Sequence, residues 1–153
     1  MEFTLLKVDR DYRVIIPVAA LRSAGWVVVE DAIQGWLLLG ESGRLKLITP
    51  ERAQVDSEFQ SLRRYVEEQA GRPIESAIYF RDPSLAILGL RLIPIEITAS
   101  GPGRRLKLPR VVAAAFDIAP GVSSVALIAD QEIEIWNLET FRSSIAAPFP
   151  ELN

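Results

Sequence analysis

Two stretches of this chain answer one another at a fixed distance. "DYRVIIP" runs from Asp11 to Pro17, and "GRRLKLP" from Gly103 to Pro109. In each, an arginine stands four residues before a proline: Arg13 before Pro17, Arg105 before Pro109. The two arginines, like the two prolines, are 92 positions apart. A fixed offset marks an internal repeat, and it restricts the fold to arrangements that use one small unit twice.

The first unit reads "LLKVDRDYRVIIPVAALRSAG" and the second "IEITASGPGRRLKLPRVVAAAFDIAPG". Each has a short alternating strand, a polar turn, a second strand and then proline. Proline suits the first turn of a helix, where its missing N–H costs nothing. Gly25 and the "APG" at 119–121 are expected to stop these short helices. Strands are predicted next at 26–30, 35–40 and 44–48 in the first unit, and at 124–129 and 132–136 in the second. From Leu47 and Ile135 onward the offset falls to 88. Thr49 and Asn137 are good N-caps for a helix closing each unit. The first of these, 50–70, is expected as one helix with Val55, Phe59, Leu62 and Val66 on its apolar stripe. The predicted organisation is residues 1–70 as the first unit, 71–92 as a connecting segment with a turn at Asp82-Pro83, and 93–153 as the second unit. The fold class is mainly β with short helices, in two pseudo-symmetric halves.

Composition removes several function classes. The 153 residues include no cysteine and no histidine. Disulfides, thiolate chemistry and histidine general-base catalysis are therefore excluded, along with the commonest soft metal ligands. Glu132 and Glu134 alternate on one strand face, and Ser123-Ser124 has no visible base. No nucleophile–base–orienter set emerges, so neither an enzyme nor a cofactor is expected. No apolar run reaches the roughly 18 residues of a membrane helix. The opening "MEFTLLKVDRD" does not resemble a secretory signal, which points to the cytoplasm.

The net charge is −3, so attraction to nucleic acid must come from local clustering. Residues 97–116 contain Arg104, Arg105, Lys107 and Arg110 and no acid, a local charge of +4. Arg105 and Lys107 share one strand face, Arg104 is expected in the turn, and Arg110 opens the helix. The first unit offers Lys7, Arg10, Arg13 and Arg22, tempered by Asp9 and Asp11. Gly101 and Gly103 are expected to form a turn that approaches another backbone closely. Basic strand–turn units of this kind track phosphates or enter a major groove.

The pattern of an acid, a short turn, Arg, three residues, Pro and a short helix resembles the swapped-hairpin AbrB superfamily of bacterial transcription factors. Its MraZ branch has two such units in one chain, each with an Asp-x-x-x-Arg signature. Asp9 to Arg13, followed by Pro17, is similar to that signature. The second unit matches at Arg105 and Pro109, with Gly101 where the acid would stand, and Tyr12 replaces the glycine that usually precedes Arg. The resemblance implies hairpins exchanged between the halves, assembly into a homo-oligomer, double-stranded DNA as partner, and a nucleoid location. It implies an Asp9–Arg13 lock at the first turn, absent in the second, leaving Arg105 freer for phosphate. The competing expectation is an assembly or partner-binding module of the same fold, with the apolar "LAILGL" within 74–93 as a candidate surface.

Overall fold

The structure is a computed structural model that describes residues 2–29, 32–39, 44–71, 73, 91–100 and 103–146. The first unit supplies β1 (Glu2–Val8), β2 (Arg13–Pro17), α1 (Val18–Ser23), β3 (Ile33–Leu39), β4 (Leu45–Ile48), α2 (Pro50–Ala53) and α3 (Ser57–Ala70). The second supplies β5 (Leu92–Ser100), β6 (Gly103–Lys107), α4 (Arg110–Ala115), β7 (Ser124–Ala129), β8 (Glu132–Asn137) and α5 (Leu138–Ala146).

The eight strands close into an antiparallel barrel in the order β1-β2-β6-β5-β3-β4-β8-β7. Four hairpins make it up, and hairpins of the first and second unit alternate around it. Each seam between hairpins therefore joins the two units: β2 to β6, β5 to β3, β4 to β8, β7 to β1. Exchanging the two units leaves this order unchanged. Period-two alternation turns Leu6, Val14, Ile16, Leu37, Leu47, Ile97, Leu106, Ala126, Ile133 and Ile135 inward, where they form one buried core.

A second apolar cluster lies outside the barrel wall. Leu38, Ile48 and Leu92 face Ala53 of α2 and Phe59 and Val66 of α3, with Trp36 and Leu62 packed against them. On the β7–β8 side, Phe141 of α5 meets Trp136 edge-on at 5.9 Å and Phe3 at 6.2 Å. Thus the closing helix of each unit covers part of the outer wall.

Several expectations need correcting. Residues 26–29 form no strand. Trp26 is buried and Val28 packs against the core, while Val27 and Val29 stay exposed. The alternation there reports packing without a hydrogen-bond ladder. The expected helix at 50–70 is two helices, because Asp56 accepts a 2.8 Å bond from the Phe59 N–H and starts α3 afresh. Val55 is consequently exposed. α4 ends at Ala115, with Phe116 as its C-cap and Asp117 at φ +54°, before the "APG". By contrast Gly25 does stop α1 at φ +100°, and Thr49 and Asn137 do cap α2 and α5. The Asp82-Pro83 turn and the "LAILGL" stretch lie outside the described residues.

The hairpin registers also revise the alignment of the repeat. Val8 faces Val14 in the first unit, and Ile97 faces Leu106 in the second. Val14 and Leu106 keep the 92-residue offset, but Val8 corresponds to Ile97, 89 positions on. The second ladder continues through Thr98↔Arg105 and Ala99↔Arg104 to Ser100↔Gly103, where the first unit turns at once. The counterpart of Asp9 is therefore Thr98, not Gly101.

Candidate nucleic-acid interface

The β1–β2 turn is built by Asp9. Its Oδ1 accepts from the backbone N–H of Asp11 at 2.9 Å and of Arg13 at 3.0 Å. The Tyr12 N–H donates to the Asp9 carbonyl, and Tyr12 takes φ +61°. This explains why a glycine-like position tolerates a ring: the turn is closed by side-chain acceptance from Asp9. Arg110, at the start of α4, stacks 5.2 Å above the Tyr12 ring, within cation–π range.

Asp9 also organises the charge. Its Oδ2 receives Arg13 Nε at 2.9 Å and lies 3.7 Å from Arg105 Nη1. Arg13 Nη2 donates to Asp11 Oδ2 at 3.1 Å. The Asp9 carboxyl is held below its usual pKa. Desolvation pushes it up, but the N–H groups of Arg13 and Asp11 and the charge and hydrogen bond of Arg13 outweigh that push.

Strand pairing then spreads the basic residues on one outer face. Arg13 stands opposite Lys107, Ile15 stands opposite both Lys7 and Arg105, and Thr98 lies beyond Arg105. Lys7, Arg13, Arg105 and Lys107 consequently share the outer wall across β1, β2 and β6. Lys7, Arg10 and Lys107 are exposed. A groove of about 570 Å³ adjoins this face, between Ile93–Glu96 and Lys107–Arg110, with Asp11 on its rim.

Three expected site residues are placed differently. Arg104 is not in a turn. It lies within β6 on the inward side with Leu106, is buried, and donates from Nη2 to the Val29 carbonyl. Gly103 is also in β6, opposite Pro17, and a Cβ there would come 2.9 Å from Ile15 Cγ2. Its lack of a side chain lets the two strands meet. Gly101 lies outside the described residues. Nor is Arg105 without an acid, since Asp9 of the other unit stands beside it. Sequence reasoning counted Asp11 only as diluting the charge and missed its pairing with Arg13, although its spacing of two residues could have shown it; Thr98 was not singled out.

Among the described residues no cluster of three or more His, Cys, Asp or Glu is placed to hold a metal ion, and no helix is long and apolar enough to cross a membrane. No protein-family model and no curated protein matches the chain.

Proposed function

We propose that this protein is a DNA-binding transcriptional regulator of the MraZ/AbrB type, acting in the nucleoid as a homo-oligomer. DNA lies against the outer face of β1, β2 and β6. The observation that carries this is the convergence of the repeated arginines. Arg13 and Arg105 come from distant parts of the chain and meet at one carboxylate. Arg13 also stands directly opposite Lys107. Exposed Lys107 extends the positive charge of this face across β6. The alternation of hairpins between units fits the exchanged-hairpin arrangement of that superfamily. Arg104 supports the face from within rather than touching DNA, and Arg110 extends it toward the groove.

Affinity of the purified protein for duplexes recovered by random-sequence selection tests this, measured by fluorescence anisotropy at two salt concentrations. The triple variant Arg13→Ala/Arg105→Ala/Lys107→Ala binds more weakly, and its residual binding has a salt slope flatter by roughly 0.9 for each phosphate contact removed. Unchanged affinity and slope reject the face. The competing partner-binding module draws on one observation: Phe3 and Leu5 on β1 are 64% and 66% exposed. It predicts self-association or partner binding that salt leaves almost unchanged, and loss of that association in Phe3→Ser/Leu5→Ser.

A further inference from the structure

We infer that Asp9 is a positioning and specificity-determining residue, holding Arg13 and Arg105 as one fixed pair and disfavouring contacts with bare phosphate. The inference rests on the DNA reading above. Its basis is geometric. Oδ1 is anchored by two backbone N–H groups, at 2.9 and 3.0 Å, so the carboxylate cannot turn away. Oδ2 is thereby aimed at both guanidinium groups, at 2.9 Å from Arg13 Nε and 3.7 Å from Arg105 Nη1. The Arg105 Nε is buried with no hydrogen-bond partner. The Arg105 head is thus tied to the acid of the other unit across the β2–β6 seam by charge alone, through Nη1. Both arginine side chains remain about a third exposed, at 35% and 29%, which leaves part of each fork for a ligand.

A guanidinium with one edge held on a carboxylate still offers donors to a neutral base edge, such as guanine O6 and N7. A phosphate brought to the same place meets the Asp9 charge as well as the arginines. The carboxylate therefore costs non-specific backbone contact more than it costs base contact. It also keeps two flexible side chains in one geometry, which preserves the base contact. Asp11 adds its charge to Arg13 alone; Asp9, the acid that reaches both arginines, thus sets the ratio between selected and unselected DNA.

Asp9→Asn is the test, because the amide oxygen still accepts the turn's N–H groups while the charge goes. One arm needs no DNA. The arginine Nε–Hε resonances of Arg13 and Arg105 are followed by NMR in wild type and variant, with both expected to move. Movement of Arg13 alone overturns the shared clamp. The second arm measures affinity for a selected duplex and a scrambled one of the same composition. Scrambled binding is expected to tighten roughly three- to fivefold, the worth of one unit charge a few ångströms away in water, while the selected-to-scrambled ratio falls. An unchanged ratio overturns the specificity role. Should wild type bind neither duplex, the DNA reading fails, and the specificity role with it. The NMR arm still decides the clamp in that case. Arg105→Ala gives a second path: adding Asp9→Asn to it changes scrambled binding less than adding it to wild type, and equal effects overturn the coupling.

Discussion

Asp9 accepts the N–H groups of Asp11 and Arg13 through one oxygen and faces two guanidinium groups with the other. A carboxyl in that position has a folded pKa below its unfolded value near 3.9. The linkage follows directly. The stabilisation is present above the unfolded value and is lost as pH falls through the lowered folded one. Urea unfolding between pH 7 and 2 should show wild type losing more stability on acidification than Asp9→Asn, the difference appearing below about pH 4. Equal acid limbs would show that Asp9 is not tied in the folded state. Arg104 belongs to another class despite adjoining Arg105 in sequence. Its buried guanidinium donates to the Val29 carbonyl and helps fix the non-sheet segment 26–29 against the barrel. Arg104→Ala should cost about 1.5–3 kcal/mol, the range for a hydrogen bond to a charged group, read from the urea midpoint. A change in DNA affinity should follow only as far as folding is lost. Charge count alone merges these two neighbours; strand alternation separates them once the turn's true length is known.

At the scale of elements, what sequence revealed and what it hid have definite physical origins. The expected strands at 35–40, 44–48, 124–129 and 132–136 match β3, β4, β7 and β8 within one or two residues over the described residues, because apolar side chains of each fill the core. The strand expected at 26–30 misled over 26–29 because Val-rich alternation signals a half-buried extended segment whether or not a neighbour completes the ladder. The helix break at 54–56 was hidden because Val55 kept the apolar period going. Asp56 decides it by offering a cap to Phe59, and its side chain lies 3.5 Å from Arg52 Nε. Asp56→Ala should destabilise the protein by roughly 1 kcal/mol, seen as a lower thermal midpoint with the fold retained. Gly35 on β3 is a sharper case. A Cβ there would sit 3.0 Å from the Ile48 carbonyl and 3.5 Å from the Trp26 indole. Trp26 donates to the Gln34 carbonyl at the same place. Gly35→Ala leaves the indole in ordinary contact but must shift the β4 backbone at the Ile48 carbonyl, at a cost of about 1–3 kcal/mol. The register change in the β5–β6 hairpin was likewise illegible, since the repeat keeps its 92-residue offset on β6 and loses it only on β5.

At the scale of the whole molecule, alternation of hairpins makes each unit depend on the other. The hairpins β1–β2 and β3–β4 do not pair with one another; both neighbours of each come from the second unit. Residues 1–70 alone therefore carry two separate hairpins with four open edges. A two-stranded hairpin is marginal in water, and the core that buries Leu6, Val14, Leu37 and Leu47 needs Ile97, Leu106, Ile133 and Ile135 from the other unit. The fragment 1–70 should accordingly lack a cooperative unfolding transition as a monomer, or self-associate so that a second copy's hairpins fill the missing places. Mixing it with a fragment 91–153 should restore a one-to-one complex with the β-sheet circular dichroism of the intact chain. Analytical ultracentrifugation and circular dichroism decide between the outcomes. A stable, cooperatively folded monomer of 1–70 would mean that its hairpins can close on themselves, and that the seams between units are contacts rather than conditions of folding. Failure of the fragment together with recovery on mixing would place the origin of stability in the seams. The seam between β2 and β6 is also where Asp9 reaches Arg105. Loss of the barrel should then abolish the paired arginines along with the fold.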